Sequence, residues 1–302
     1  MAERPFEKAG SSPLPRPTTR SRVVLAGGWA GERAGTALGK RSSALPQPAS
    51  EATRKLDRID VRAAFTQADV DALNARFAGV DTLPMLRALF AENILGETAV
   101  VSSFGTESAV LLDLIARVAP ETPVVFVDTL KMFPETLAYR DALLDRLGMH
   151  NRRTVTPDAD VLAARDATGL RWSYDPDGCC AIRKVEPLAR AKQGLDSWFS
   201  GRKAFQSQTR ANLPRFELED GRLKVNPLGD WTRDDLDAYF AERDLPHHPL
   251  EAEGYLSIGC SPCTSKVLPG EDPRAGRWRG WDKVECGIHV PVDGPSEDDP
   301  IF

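Results

Sequence analysis

The chain has 302 residues, 41% of them hydrophobic, which is enough for one substantial α/β domain or two small ones. No run of about 18 apolar residues is present, which excludes a transmembrane helix and leaves no basis for a membrane partner. The net charge of -5 is uneven: residues 1–60 carry eleven Lys or Arg against six Asp or Glu, so the rest holds about ten excess negative charges. A folded part of that sign argues against nucleic acid as a main partner.

The first sixty residues, with "SSPLPRPTTRSR" and "RSSALPQPAS", lack sustained periodicity. A disordered tail, a targeting segment and translation from an upstream start codon all fit that composition. The early Glu3 and Glu7 disfavour a transit peptide, and "VVLAGGWAG" is short and late for a secretory core. The expectation is a disordered extension, 1–60, on a cytoplasmic protein.

From Leu56 the pattern is regular. "TQADVDALNARFA" reads as a helix with Thr66 as N-cap and Val70, Leu73 and Phe77 on one face, and "TLPMLRALFAENI" reads as a second. The β-branched "TAVVSS" enters "FGTESAVLLDLIARV", a buried helix by length and composition. The step repeats with the strand "PVVFVDT", the helix "MFPETLAYRDALLDRLG" closed by Gly148, and a possible strand "RRTVT". Strands alternating with helices of this length predict parallel pairing, hence an α/β, doubly wound, mostly parallel sheet. Ligands of such sheets bind beyond the carboxyl ends of the strands, which points to the loops after Ser103 and Asp128. "GCCAIRKVEPLARAK" reads as helical through Pro187, "DSWFSGRKAFQSQTR" as a strand opening into a cationic loop, and "WTRDDLDAYFAERDL" as a capped helix. After "LPHHPL" periodicity fades, so residues 61–270 form the expected domain and 271–302 a mobile C-terminal segment.

The loop "SFGTES", Ser103 to Ser108, puts small residues and hydroxyls at a helix N-terminus, where free N–H groups can receive an anion. Ser103, Gly105 and Ser108 fit the pyrophosphate-loop form SGGKDS, but Phe104 replaces a glycine and Thr106 the lysine, so taken alone the motif reads first as an ordinary helix cap. Five cysteines are too few for a disulfide scaffold, and their number is odd. Cys179-Cys180 and the "CSPC" pair, Cys260 and Cys263, can enclose a zinc ion or an iron–sulfur cluster. Adjacent ligands crowd a single small ion more than a cluster, and buried thiols with a redox CxxC remain open. Basic residues gather near these cysteines: Arg183 and Lys184, then Arg202, Lys203 and Arg210, then Arg274, Arg277 and Arg279. They suit oxyanion recognition or a solvated surface. The leftover Cys286, next to Glu285 and three residues before His289, is either inert or a nucleophile.

Together "SFGTESAVLL", "VFVDTLKMFPET", "CCAIRKVEPL", the Gln-Ser-x-Thr-Arg segment ending at Arg210, "KVNPLGDWTRDDLDAYF", "GYLSIGCSPCT" and "ECGIH" resemble the assimilatory adenylyl-sulfate reductases, in the family that also holds the 3′-phosphoadenylyl-sulfate reductases. The resemblance covers about Glu97 to Val290. It implies a fold of the adenine nucleotide alpha-hydrolase-like (PP-loop) type and reduction of adenylyl sulfate to sulfite and AMP by thioredoxin. It implies a [4Fe-4S] cluster on Cys179, Cys180, Cys260 and Cys263, and Cys286 as a nucleophile that carries a thiosulfonate. Lys184, Arg274, Arg277 and His289 would then hold the phosphosulfate, and Ser103, Gly201 and Arg210 the nucleotide. Gly105, Ser108 and, after the second strand, Asp128 and Leu130 complete the expected substrate-binding set. Ala204 and Phe205 replace residues that are charged in many relatives, which bears on the choice between 3′-hydroxyl and 3′-phosphate substrates. The alternatives are a 3′-phosphoadenylyl-sulfate reductase and an ATP-dependent tRNA-thiolating enzyme; oligomeric state is not legible.

Overall fold

The structure, a computed structural model, describes residues 64–206, 213–283 and 285–287, all within the unit Ile59–Phe302. The expected extension 1–60, together with Arg210 and His289, lies outside them.

Six strands form one sheet: β1 Thr98–Val101, β2 Val124–Val127, β3 Arg152–Val155, β4 Ser197–Ser200, β5 Phe216–Glu219 and β6 Arg222–Val225. Their order is β3-β2-β1-β4-β6-β5, parallel throughout except for the terminal β5–β6 pair. The sheet therefore grows in one direction from β1 through β2 to β3 and in the other through β4. That reversal between β1 and β4 is the topological switch point, where the strand ends diverge and leave a crevice.

Both faces of the central strands are covered, so each carries an apolar run, Ala99–Val101, Val124–Val127 and Trp198–Phe199. Val100, Val124 and Phe126 enter the larger core with α1 Gln67–Arg76, α2 Thr82–Ala91, α3 Ser108–Ala116, α4 Pro134–Leu147 and α8 Arg233–Arg243. Ala99 and Val125 point the other way, onto Leu188 and Leu195. Between β3 and β4 the chain forms α5 Ala159–Arg165, α6 Pro176–Cys180, a π-helical turn Ala181–Val185 and α7 Glu186–Ala191. The wide turn has a local cause: Pro187 has no N–H to offer the carbonyl of Arg183, and the Glu186 N–H closes instead on Ala181 O.

Local signals act as the sequence predicts at several ends. Thr66 and Thr232 each form a capping box, with Asp69 and Asp235, and Gly148 ends α4 in the left-handed conformation. The β5–β6 hairpin was not anticipated, although Asp220-Gly221 is its two-residue turn and both residues have positive φ, 52° and 71°.

After α8 the chain is irregular but fastened. His248 is fully buried; its Nδ1 accepts the Leu250 N–H at 3.2 Å, which leaves the proton on Nε2, 3.0 Å from Thr136 Oγ1 in α4. Burial holds this imidazole down to about pKa 4, with Glu135 opposing weakly. The unfolded chain takes up a proton near pH 6.5 and the folded one only near 4, so acid favours unfolding between those values. Between pH 7.5 and 4.5 the wild type should lose about 2 kcal/mol more unfolding free energy than His248→Gln in urea denaturation; equal losses would show that His248 does not govern this window.

Candidate active site

A cavity of about 380 Å³ opens at the carboxyl ends of β1, β2 and β4, the size of a small-molecule site. One wall is the strand–loop–helix "SFGTES". Phe104 adopts φ 52°, a conformation that favours glycine, yet its ring is fully buried and meets Phe126 edge-on at 5.5 Å. Ring burial accounts for a phenylalanine where a pyrophosphate loop has glycine. The Ser102 hydroxyl accepts the Phe104 N–H at 3.2 Å, the Ser108 hydroxyl donates back to Gly105 O at 2.5 Å, and no side chain caps α3. The start of α3 thus faces the cavity with its amide dipoles uncapped.

Thr106, in the place of the pyrophosphate-loop lysine, is buried against Leu256 O. Cations reach this wall from elsewhere: Lys203 after β4 and Arg233 at the start of α8 pair with buried Glu107 at 2.7 and 2.6 Å. The pairing with Glu107 was not foreseen; an acid in one loop and bases roughly a hundred residues later carry no local signal.

A cationic wall of the same cavity holds Lys184, Arg274, Arg277 and Cys286. Ser103, Gly105, Ser108 and Gly201 line the same cavity, so the structure gathers most of the expected substrate residues into one place. Asp128 and Leu130 are not among its lining residues; Asp128 Oδ1 accepts the Leu130 N–H at 2.9 Å, and the Leu130 side chain is 55% exposed. Val127 and Met132, on either side of them, line the cavity instead. Glu285, beside Cys286, has its carboxylate 3.5 Å from Arg274, which offsets its repulsion of a neighbouring thiolate.

Cys179, Cys180, Cys260 and Cys263 all border a second, small cavity, and Lys184 and Trp278 stand between it and the first. None of the four is in a disulfide. Burial pushes Cys179 and Cys180 up to about pKa 11 and also raises Cys263. Burial opposes ionisation of Cys260 too, but Lys184, the Thr129 hydroxyl at 3.2 Å and Arg277 outweigh it and hold this thiol below its ordinary value. Burial disfavours the Lys184 cation, yet Cys260 and Cys286 keep its pKa raised. Among the described residues no group of three ligands is set to hold a single metal ion. Four unpaired thiols around one cavity are a donor set that fits an iron–sulfur cluster, whose positive irons would offset the cost of burying thiolates.

Arg183 points away from the substrate cavity: its guanidinium donates to Asp166 Oδ2 at 2.6 and 3.0 Å and to Thr129 O at 2.9 Å. Arg279 pairs with Glu271 at 2.8 Å. Of the basic residues singled out in the sequence, Lys184, Arg202, Lys203, Arg274 and Arg277 face the cavity.

Fold and site together define a nucleotide-type α/β enzyme whose cavity ends on a thiol. Residues 97–266 match the model of the phosphoadenosine phosphosulfate reductase domain. The chain is 46% identical over 237 residues to an adenosine 5'-phosphosulfate reductase of Mesorhizobium japonicum, spanning 78% of this chain and 93% of that one. It is 51% identical over 196 residues to a protein of the same name from Chelativorans sp., spanning 65% and 80%. It is 44% identical over 211 residues to a phosphoadenosine 5'-phosphosulfate reductase of Gloeobacter violaceus, spanning 67% and 88%. The crystal structure of the phosphoadenylyl-sulfate (PAPS) reductase from Candida auris matches with a TM-score of 0.55 and 27% identity, over 67% of this chain and 98% of that one. The chain belongs to the phosphoadenosine phosphosulfate reductase family, and it is an oxidoreductase acting on a sulfur group.

Two expectations test the site's construction. Phe104→Gly should recover about 1 kcal/mol of left-handed backbone cost but forfeit about 3–5 kcal/mol of ring burial. A net loss of about 2–4 kcal/mol in urea denaturation is expected, and an unchanged or higher stability would remove the ring from this role. Lys283, 7% exposed and ion-paired with Asp177 at the start of α6, ties down the segment that carries Cys286. Lys283→Ala should raise the alkylation rate of Cys286 by iodoacetamide up to about fivefold; an unchanged rate would mean that the pair does not restrain the segment.

Proposed function

We propose that this chain reduces adenylyl sulfate to sulfite and AMP through Cys286, with thioredoxin as the electron donor. One observation carries the reading: Cys286, Lys184, Arg274, Arg277 and the "SFGTES" loop line a single cavity at the switch point of the sheet. The uncapped start of α3 and Gly201 receive the nucleotide, and the cationic wall receives the phosphosulfate.

The Cys286 thiolate attacks the sulfate sulfur; an S–S bond forms, the bond from sulfur to the phosphate oxygen breaks, and AMP leaves with that oxygen's electron pair. Fixed cations at Lys184, Arg274 and Arg277 are placed to stabilise the charge that develops on the leaving phosphate and the sulfonyl oxygens. The enzyme is left with a thiosulfonate on Cys286. A thioredoxin thiolate then attacks the Cys286 sulfur and expels sulfite, and its second thiol resolves the mixed disulfide. Two electrons pass from the dithiol to sulfur, which falls from the sulfate to the sulfite oxidation level.

Cys179, Cys180, Cys260 and Cys263 would hold a [4Fe-4S] cluster, which would supply a fixed charge beside Lys184. Lys184 interacts electrostatically with Cys260 and lines both cavities, so it would stand between that charge and the substrate. His289 and Arg210 join the phosphosulfate and nucleotide sites by resemblance. On this reading the enzyme domain spans residues 61–270 and a movable segment spans 271–302; the first part of that segment, to Trp278, is fastened by Ser265 N–H to Gly276 O and by Trp278 N–H to Cys263 O. Movement between substrate and thioredoxin then falls to the residues nearer Cys286. No helix among the described residues is long and apolar enough to cross a membrane. Five unpaired cysteines and a thiol-dependent reaction suit the reducing cytoplasm.

Intact-protein mass spectrometry after anaerobic incubation with adenylyl sulfate, without thioredoxin, tests the reading. A sulfonate-sized gain is expected on wild type and none on Cys286→Ser, with sulfite released on adding reduced thioredoxin. An adduct on Cys286→Ser would refute the nucleophile, and an adduct formed only with 3′-phosphoadenylyl sulfate would assign the other substrate.

A further inference from the structure

Arg277 differs from the other arginines of the cavity in how it is held. Arg202, Arg233 and Arg274 each have a carboxylate partner, Glu217, Glu107 and Glu285 respectively. No carboxylate of the described residues pairs with Arg277, and its buried Nε has no hydrogen-bond partner. Its guanidinium is fixed by shape. The indole of Trp278 lies against it, with the guanidinium carbon 4.4 Å from the ring centroid. Against it also lies the bare backbone of Gly259, where an added Cβ would fall 2.5 Å from Cζ, 2.9 Å from Nη1 and closer still to Nη2.

Nothing else in the fold explains glycine at 259. Its φ is not in the left-handed region. Its N–H donates to Thr264 Oγ1 at 3.2 Å, and that hydroxyl donates to Cys260 O at 2.9 Å, bonds that any residue's backbone could make. The Thr264–Arg277 bridge and the Trp278 N–H to Cys263 O bond anchor the backbone of Arg277 and Trp278, which limits how far the arginine can retreat if a side chain is added at 259.

We infer that Gly259 is a positioning residue for the reaction: the absence of a side chain there creates the slot in which Arg277 lies flat against the backbone and presents its donors to the sulfonate end of the substrate. This rests on the reading in which that wall of the cavity binds the phosphosulfate. A guanidinium held by shape rather than by a carboxylate keeps its whole charge for an incoming anion. Any side chain at 259 expels it.

The test is a double-mutant cycle with Gly259→Ala and Arg277→Ala, using steady-state turnover of adenylyl sulfate and inhibition by AMP. Wild-type turnover first confirms the substrate, so that failure of the functional reading shows before any variant is compared. Gly259→Ala should lower kcat/KM about 10- to 100-fold, as loss of a charged hydrogen bond does. Arg277→Ala should do the same, and the double variant should be no worse than either. AMP lacks the sulfonate, and its inhibition constant should move less than about threefold. If Gly259→Ala folds poorly or loses visible cluster absorbance because of the collision, removing the guanidinium in the double variant should restore both to the level of Arg277→Ala. Multiplicative losses, an AMP defect as large as that for adenylyl sulfate, a wild-type-like Gly259→Ala, or a double variant that still fails to fold would each overturn the inference.

Discussion

The buried ion pair between Arg183 and Asp166 is the constraint on which the site depends. Arg183 is 5% exposed, and the Asp166 side chain is wholly shielded. Burial penalises the carboxylate, but the Arg171 N–H and Arg183 more than offset it and hold its pKa below the usual range. The same guanidinium also binds Thr129 O, so one residue fastens the helical segment of Cys179-Cys180 to the loop after β2. Thr129 in turn meets Cys260 through its hydroxyl. A buried pair of this kind adds little net stability against an apolar replacement, whereas losing one partner costs about 3–5 kcal/mol. Its value is registry: two thiol pairs some eighty residues apart in sequence are brought to one cavity.

The π-helical turn performs a related adjustment inside that segment. In an unbroken α-helix Lys184 would stack one turn above Cys180. Widening the turn by one residue rotates the later part of the helix relative to the earlier part, and Lys184 comes to border both the thiol cavity and the substrate cavity. Pro187 supplies the cause and lies outside both cavities. The proline visible in the sequence therefore marks where the helix is distorted, but not which side chain the distortion serves.

What the sequence disclosed divides along physical lines. β1, β2 and β4 were readable because strands buried on both faces carry consecutive apolar residues, and the cysteines because their spacing limits what they can ligate. β5 and β6, "FELE" and "RLKV", were missed because alternating charges read as a solvent-facing surface. Here the charges are buried against one another: Glu219 meets Lys192 at 2.5 Å and Lys224 at 3.0 Å, and Arg202 meets Glu217 at 2.8 Å. Satisfaction of charge by long-range pairing has no local pattern, and the same holds for Glu107 with Lys203 and Arg233. Gly259 was unreadable for a further reason: its importance lies in a side chain it lacks, opposite an arginine eighteen residues later.

The distribution of charge explains how an acidic chain accommodates an anionic substrate. The cavity is lined by Lys184, Arg202, Lys203, Arg233, Arg274 and Arg277 against Glu107, Asp272 and Glu285. These acids are not spread evenly. Glu107 stands between Lys203 and Arg233, and Glu285 stands beside Arg274. Lys184 and Arg277 have no carboxylate partner among the described residues, and both act electrostatically on Cys286 and Cys260. Positive charge is thus compensated near the mouth of α3 and left uncompensated beside the thiol. Field lines in a low-dielectric cleft converge on such a place, which orients a substrate with its most anionic end toward Cys286. On the proposed reading, the same two cations would receive the charge that develops on the leaving phosphate and the sulfonyl oxygens.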